Sequence, residues 1–442
     1  MAKRLIAVLL ILIMAMALIS CGGAASSSAG PSAPASSGGQ AAAPSSSTTA
    51  APSAGSAAAP SGGSASAPAV VAPLKLGVYV PLSGTSAEGG IEGLKCIELA
   101  VKRINQNGGF NGAPLELVVY DTLSNSEESV KIVNKLVSVD KVSICLSSNM
   151  SGEILPSVPI LNEAGVLTVA TGNAYTFMQP DWPFVFRATV NNNYTTPVVA
   201  GMAKEVGYNT YSIFTTTDEA ALTTTDSFQK EAEKLGFKLL SRQTAELADT
   251  EFAAQVAAIV KSDPDFVFLS TSSAATAHFC RQVRDAGYTG MLFLKQPFST
   301  SNIKISGVQN SNYCAFAWPT LSYANIDDCD LPMVKEVLQL YLDAHGALPT
   351  SDTPLRFWDA MMILWEASKI AGSNDPEKMR QAANTISMQG LGGIIDFTDG
   401  KREAFSNLSF NNFVLLNEKN ILWKDWINSG GFEEFKKATG HR

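Results

Sequence analysis

The side chains that could do covalent or metal chemistry in this 442-residue chain are few: six cysteines, three histidines and some paired carboxylates. His278, His345 and His441 are far apart, and His441 lies in the terminal tail. Nucleophilic catalysis needs a Ser or Cys beside a base that a third group orients. The chain has no GxSxG turn, no Walker-type phosphate loop and no HExxH pair. Asp327-Asp328 sit in a polar stretch, and Glu127-Glu128 and Asp140-Lys141 read as surface helix ends. No CxxC or Cys/His cluster with metal-ligand spacing occurs, so neither a metal nor a cofactor is expected. The inventory points away from an enzyme. A hydrolase acting on small amides remains the weakest of the function classes.

Cys21 carries a different chemistry. It follows Ser20 and an apolar run from Leu5 to Ile19, itself preceded by Lys3 and Arg4. A basic start, a short apolar stretch and a small residue describe a secretory signal. The run falls short of the ~20 residues a membrane span needs. A cysteine at this point resembles a bacterial lipoprotein signal, which implies that residues 1–20 are removed and Cys21 is lipidated as the new N-terminus. The other reading is an uncleaved anchor with an incidental cysteine; both put the chain beyond Cys21 outside the cytoplasm. Gly22 to Pro73 is almost wholly Ala, Ser, Gly, Pro and Thr, with no charged or aromatic residue. Such a stretch cannot bury enough apolar surface to offset its ordering entropy, so 21–73 reads as a flexible tether or a modified stalk. Five further cysteines leave at least one thiol unpaired. Cys314 and Cys329 flank a short loop and are the disulfide candidates of an oxidising compartment, while Cys145 reads as a small core residue.

The elements that must position any site begin at Leu74. The remaining chain suits two domains. With Lys3 and Arg4 set aside it has 30 basic against 40 acidic residues, a net charge of −10. That balance argues against a nucleic-acid or anionic-membrane surface. Leu74–Val80, Leu115–Tyr120, Val142–Leu146, Val166–Ala170 and Phe184–Thr189 read as strands. Ile91, Leu94, Ile97, Val101 and Ile104 recur at helical spacing, and Ser124 with Glu127 reads as a capping box before a second helix. The rhythm restarts with strands at Tyr211–Thr216, Phe237–Leu240, Phe266–Thr271 and Met291–Leu294. Alternation of this kind predicts βαβ units, hence an α/β protein with two doubly wound, Rossmann-like lobes. Past Cys314 the pattern changes to three helices and short strands at Ile394–Phe397, Ser409–Leu416 and Ile421–Trp423. The expected path returns to the first lobe and ends on the second. It gives a lobe of 74–190 plus about 322–395, a lobe of 191–321 plus about 396–442, and a multi-crossing hinge.

The segment Leu74 to Gly84 resembles the first strand and loop of type I periplasmic binding proteins, in the leucine/isoleucine/valine-binding branch. Ala100 to Asn105 followed by Gly108 to Gly112, Phe184-Val185-Phe186-Arg187, and Arg281 to Gly287 are further landmarks in matching order. The resemblance covers about residues 74–425. It implies a hinged receptor that closes on a small solute, works as a monomer, and delivers to an ABC permease in the membrane, with a lipid anchor and no nucleic-acid partner. A sensor that reports the solute to a signalling partner would have the same lobes.

The resemblance places a ligand carboxylate on the first lobe at Ser151-Gly152 and Thr171-Gly172-Asn173, with Ser83 nearby. The residues bear this independently. Ser151 precedes a helix expected near Glu153, whose free N–H groups attract an anion. Gly172 lets backbone approach a ligand. Each is otherwise an ordinary cap or turn residue. On the second lobe, Asp218, Ser272 and Gln296 follow strands. Departures from the branch are as informative. Glu88-Gly89-Gly90 stands where an aromatic is common, Ala220 and Ser270 to Ser273 stand where tyrosines are common, and Lys295-Gln296-Pro297 stands where an acid usually meets the ligand ammonium. Asp218 and Asp121 are the candidates to replace that acid. Aromatics available as cleft walls are Tyr175, Phe298, Trp318, Tyr323, Phe357 and Trp358. The expected ligand keeps a carboxylate or similar acceptor without having to be a branched-chain amino acid.

Overall fold

The computed structural model describes residues 71–441 apart from 180, 273 and 406–409. The signal segment, Cys21 and the tether up to residue 70 lie outside the described residues. β1 (Leu74–Val80) is buried over its last five residues, as an apolar run flanked on both sides should be. It pairs in parallel with β2 (Leu115–Asp121) on one edge and β3 (Ile144–Leu146) on the other. β4 (Leu167–Ala170) and β5 (Val185–Arg187) extend the sheet in parallel to the order β2-β1-β3-β4-β5.

The second sheet repeats this plan. β6 (Thr210–Thr216), β7 (Lys238–Ala245), β8 (Phe266–Ser270), β9 (Met291–Leu294) and β10 (Cys314–Trp318) stand in the order β7-β6-β8-β9-β10. In both lobes the strand order reverses between the first and third strands, which opens a crevice at their carboxyl ends. The periodicity does not predict β10, because its run is short and ends in a tryptophan. β11 (Ser387–Gly390) and β12 (Gly393–Asp396) form a separate hairpin, and β13 (Asn411–Leu416) and β14 (Lys419–Leu422) add antiparallel strands beyond β10.

Three crossings join the lobes. After β5 the chain enters the second sheet; after β10 it returns, and the helix Thr353–Ala371 packs on the helix Ala87–Gln106 beside β1. The close fit there needs Gly93, since a Cβ would lie 2.5 Å from the Phe357 ring. Asp352 ties this helix to the crossing, accepting from Trp318 Nε1 at 2.7 Å and Thr320 Oγ1 at 2.9 Å. The last departure comes later than residue 396. Arg187 N–H donates to Arg402 O at 2.9 Å and Ala404 N–H to Arg187 O at 3.0 Å, so 402–404 still runs along β5.

Two expectations need correction here. Asn125, not Ser124, caps the helix Ser126–Lys135: its side chain accepts from Glu127 N–H at 2.8 Å and Glu128 N–H at 3.0 Å. Ser124 instead takes a positive φ of 54° and donates its hydroxyl to Ser83 O at 2.7 Å. Cys314 and Cys329 are both free and buried, so the expected disulfide does not form. β10 turns Cys314 toward Cys280 of the helix Ala275–Asp285, and the two thiols interact. Cys329 points elsewhere, with its thiol 3.7 Å from Leu331 O.

Candidate functional site

The first wall of the site is the start of the helix Ser151–Glu163. Met150 precedes it and supplies no side-chain cap; Glu153 N–H donates to Met150 O at 3.0 Å, and the Ser151 and Gly152 N–H groups keep their capacity to meet an anion. Ser151 is 3% exposed, and its Oγ accepts from Ala174 N–H at 3.1 Å. That bond docks the loop after β4 against the helix. Gly172 permits the docking, for a Cβ there would lie 2.6 Å from Ile154 Cδ1 and 2.8 Å from Ser151 Oγ. Beneath the loop runs Arg187, fully buried. It donates from Nη1 to Gly172 O at 3.2 Å and from Nη2 to Ala174 O at 2.8 Å, and its guanidinium lies 4.2 Å from the centre of the Phe177 ring.

The second lobe supplies the opposing wall from three strand ends. Asp218 follows β6 and caps the helix Glu219–Lys234 through a 3.2 Å bond from Ala221 N–H. Ser272 follows β8 and donates to Asp218 Oδ1 at 2.8 Å. Lys295 and Gln296 follow β9. Between the walls lies a cavity of ≈ 170 Å³. The lobes meet around it, where Thr176 Oγ1 donates to Glu219 Oε1 at 2.7 Å and Ser301 Oγ to Glu88 Oε2 at 3.3 Å.

Ser151, Asn173, Asp218, Ser272 and Gln296 line this one cavity. Gly152, Thr171, Gly172 and Ser83 are not on its lining. Thr171 donates to Ser148 O at 3.2 Å while its own carbonyl takes Arg356 Nη1 at 3.2 Å. Ser83 donates to Asp121 Oδ2 at 2.8 Å. Asp121 is no stand-in for the missing acid. Burial pushes its carboxyl up, but bonds from Leu123, Ser83 and Leu82 outweigh that and hold it below the usual range. None of the aromatics proposed as walls lines the cavity. Phe298, Phe357 and Trp318 are core residues, and Tyr323 faces a separate cavity near the second crossing.

Arg356, Lys295, Thr85 and Asn149 also line the site, and sequence reasoning does not single them out as ligand contacts. The strand-end rule that finds Gln296 applies equally to Lys295. Arg356 has no local signal, for it arrives on a helix from the return crossing, nearly two hundred residues after Thr171.

Below Ser151 is a buried carboxyl. Glu153 is 3% exposed, and neither oxygen is in hydrogen-bond geometry with a donor. Burial pushes it up to about 7; the nearby Ser148 and Thr122 hydroxyls offset part of this and the charge of Asp121 adds to it. The folded state then holds a proton that the unfolded chain releases near its ordinary value of ~4.3. Stability from this group is therefore greatest below ~4.3, falls as pH rises toward 7, and is level above it. Glu153→Gln should gain over the wild type by ~2 kcal/mol between pH 5 and pH 8. Urea denaturation at the two pH values checks this, and a gain independent of pH would refute the buried-proton account.

A family model described as periplasmic binding protein matches residues 73–410. A Leu/Ile/Val-binding protein homolog of Brucella melitensis is 26% identical over 319 residues, spanning 70% of this chain and 82% of its own. A leucine-binding protein of Thermotoga maritima superposes with a TM-score of 0.69 at 23% identity, over 79% of this chain and 97% of its own. A solute-binding protein of Rhodopseudomonas palustris, solved with benzoate, gives 0.69 at 20% identity over 79% and 95%.

Proposed function

Because the chain belongs to the periplasmic binding protein family, we propose that it is the substrate-binding lipoprotein of an ABC importer of the branched-chain amino acid type, holding an amino acid or related small carboxylate or amide between its lobes for delivery to a membrane permease. The family consists of extracytoplasmic binding proteins, not enzymes. No helix among the described residues is long and apolar enough to cross a membrane. The observation that carries the reading is the polar cavity at the carboxyl ends of both sheets, bounded by Ser151 and Asn173 from one lobe and by Asp218, Ser272 and Lys295 from the other.

The mechanism is hinge closure. A solute docks on the Ser151 side, and the second lobe swings over it until Thr176 reaches Glu219 and Ser301 reaches Glu88. The solute favours closure by its extra contacts in the closed state. The lipid on Cys21 and the uncharged tether keep the lobes within reach of the permease while they search. Among relatives of this fold, one is named for leucine and another was solved with benzoate, so the side chains of the cavity decide the ligand. Produced from its full sequence, the protein should sediment with membranes and release one small solute when denatured, as read by mass spectrometry. Cys21→Ala should move it to the soluble fraction with the same solute bound. A Cys21→Ala protein that stays with the membranes, or that loses the solute, would contradict the reading.

A further inference from the structure

The charges around the cavity are unsuited to a zwitterion. Each acidic group on its lining already serves protein donors. Asp218 accepts from Thr216 Oγ1 at 2.6 Å, Ser272 Oγ at 2.8 Å and Ala221 N–H at 3.2 Å. Asp352 accepts from Trp318, Thr320 and, at 3.1 Å, Arg356 Nη2. Glu88 accepts from Thr350 Oγ1 at 2.7 Å and from Ser301 across the cleft. An ammonium brought here would share these partly occupied carboxylates with the Lys295 and Arg356 cations that face the same space, and like charges repel.

The cations keep donors to give, although Arg356 already pairs with Asp352 and donates to Thr171 O and Thr353 Oγ1. Lys295 is 2% exposed, and its Nζ makes one hydrogen bond among the described residues, to Ser272 Oγ at 2.8 Å. An ammonium has three donors, so two are unspent. Arg356 Nε is buried with no partner among the described residues. The two groups lie on opposite lobes and face the same space. Burial draws the Lys295 ammonium down to about 8; Asp218 restores part of this and the like charge of Arg356 takes more away. A bound anion would relieve the desolvated Lys295 ammonium and take up the free Arg356 Nε donor at once. The rest of the lining is largely hydroxyl and amide, including Thr85, Ser86, Asn149, Asn173, Ser299 and Asn302, with Met150, Ala220, Ala274 and Pro297 among them and no aromatic face. Such walls match a ligand rich in oxygen.

We propose that the solute is a small polar dicarboxylate without an ammonium group, one carboxylate held by Ser151, the helix start and Arg356, the other by Lys295. This rests on the solute-receptor reading above and narrows it. The second carboxylate takes the place that an amino acid's ammonium would fill, and it bridges the lobes because Lys295 and Arg356 belong to different ones.

Calorimetric titration of the full chain in detergent, stripped of bound solute, tests this with succinate, malate and glutarate against leucine and benzoate. At least one dicarboxylate should bind at least 100-fold tighter than leucine or benzoate. Lys295→Gln should weaken that dicarboxylate about 100-fold while the melting temperature is kept or raised, since a buried charge is removed. Affinity should also fall about tenfold from pH 7 to pH 9, as Lys295, faced by Asp218 and Arg356, loses its proton. Leucine binding tighter than every dicarboxylate, or undiminished dicarboxylate binding by Lys295→Gln, overturns the inference but leaves a solute receptor. If none of the probes binds, the solute released from the untreated protein decides: a dicarboxylate upholds the inference and any other solute overturns it. No released solute and no binding overturn both readings.

Discussion

Arg187→Met is expected to lower the stability of the folded part by ~3–5 kcal/mol, the range for removing one member of a buried charged network. Methionine nearly keeps the volume, so the loss comes from hydrogen bonding rather than from a cavity. Without the guanidinium, the carbonyls of Gly172 and Ala174 lose their donors in the interior. Glu403, 3.9 Å from Arg187 Nε, loses its ion pair there as well. Lysine should not rescue, because one ammonium cannot reproduce the planar fork that spans two carbonyls. The same loop carries Asn173 and docks on Ser151, so ligand affinity should fall with stability. Equilibrium urea denaturation measures the first effect; a change below ~1 kcal/mol would show that the loop holds without its prop.

Gly90→Ala should cost ~2–3 kcal/mol even though alanine is the better helix former by ~1 kcal/mol. The helix Ala87–Gln106 starts so close to the end of β1 that a Cβ on Gly90 would lie 1.8 Å from Pro81 O and 2.7 Å from Pro81 C. Both atoms are backbone, so relief requires moving the helix or the loop that carries Ser83 and Thr85. The neighbouring Gly89 behaves differently. A Cβ there lies 3.1 Å from Asn149 Nδ2 and lines the cavity, so Gly89→Ala should disturb binding more than stability. Thermal unfolding of the two variants separates these roles, and equal midpoints would remove the distinction. Only one of the two glycines widens the pocket, although in the sequence they stand as a pair in place of a single aromatic.

Much of the fold is legible in the sequence because its signals are local. The apolar runs of β1, β3, β4, β6, β8 and β9 are buried on both faces, and such runs separated by helical periodicity leave little choice but parallel sheets. Arg187 stands out as part of a family landmark, but its physical task becomes visible only with Gly172 and Ala174 above it. The cap at Ser124 is misread because Ser124 and Asn125 are both good capping residues. Their order is decided by Ser83, some forty residues away, which draws off the Ser124 hydroxyl. The disulfide is misread because nearness in sequence replaces nearness in space. β10 points Cys314 at Cys280 and away from Cys329.

The chain's residues by themselves determine a short apolar run that ends at a cysteine, an uncharged stretch rich in Ala, Ser, Gly and Pro, two alternating α/β runs, and polar strand ends where solute chemistry can gather. These follow from composition, periodicity and turn chemistry, which act over a few residues at a time. Tertiary structure alone decides which of those strand ends share a cavity, which carboxylates already serve protein donors, and which cations are left with donors to give. Lys295 and Arg356 illustrate the division: sixty residues and one hinge crossing separate them in the chain. Their mutual field exists because the lobes close over a common space, and the pairing that closes them is made of long-range contacts that no local pattern encodes.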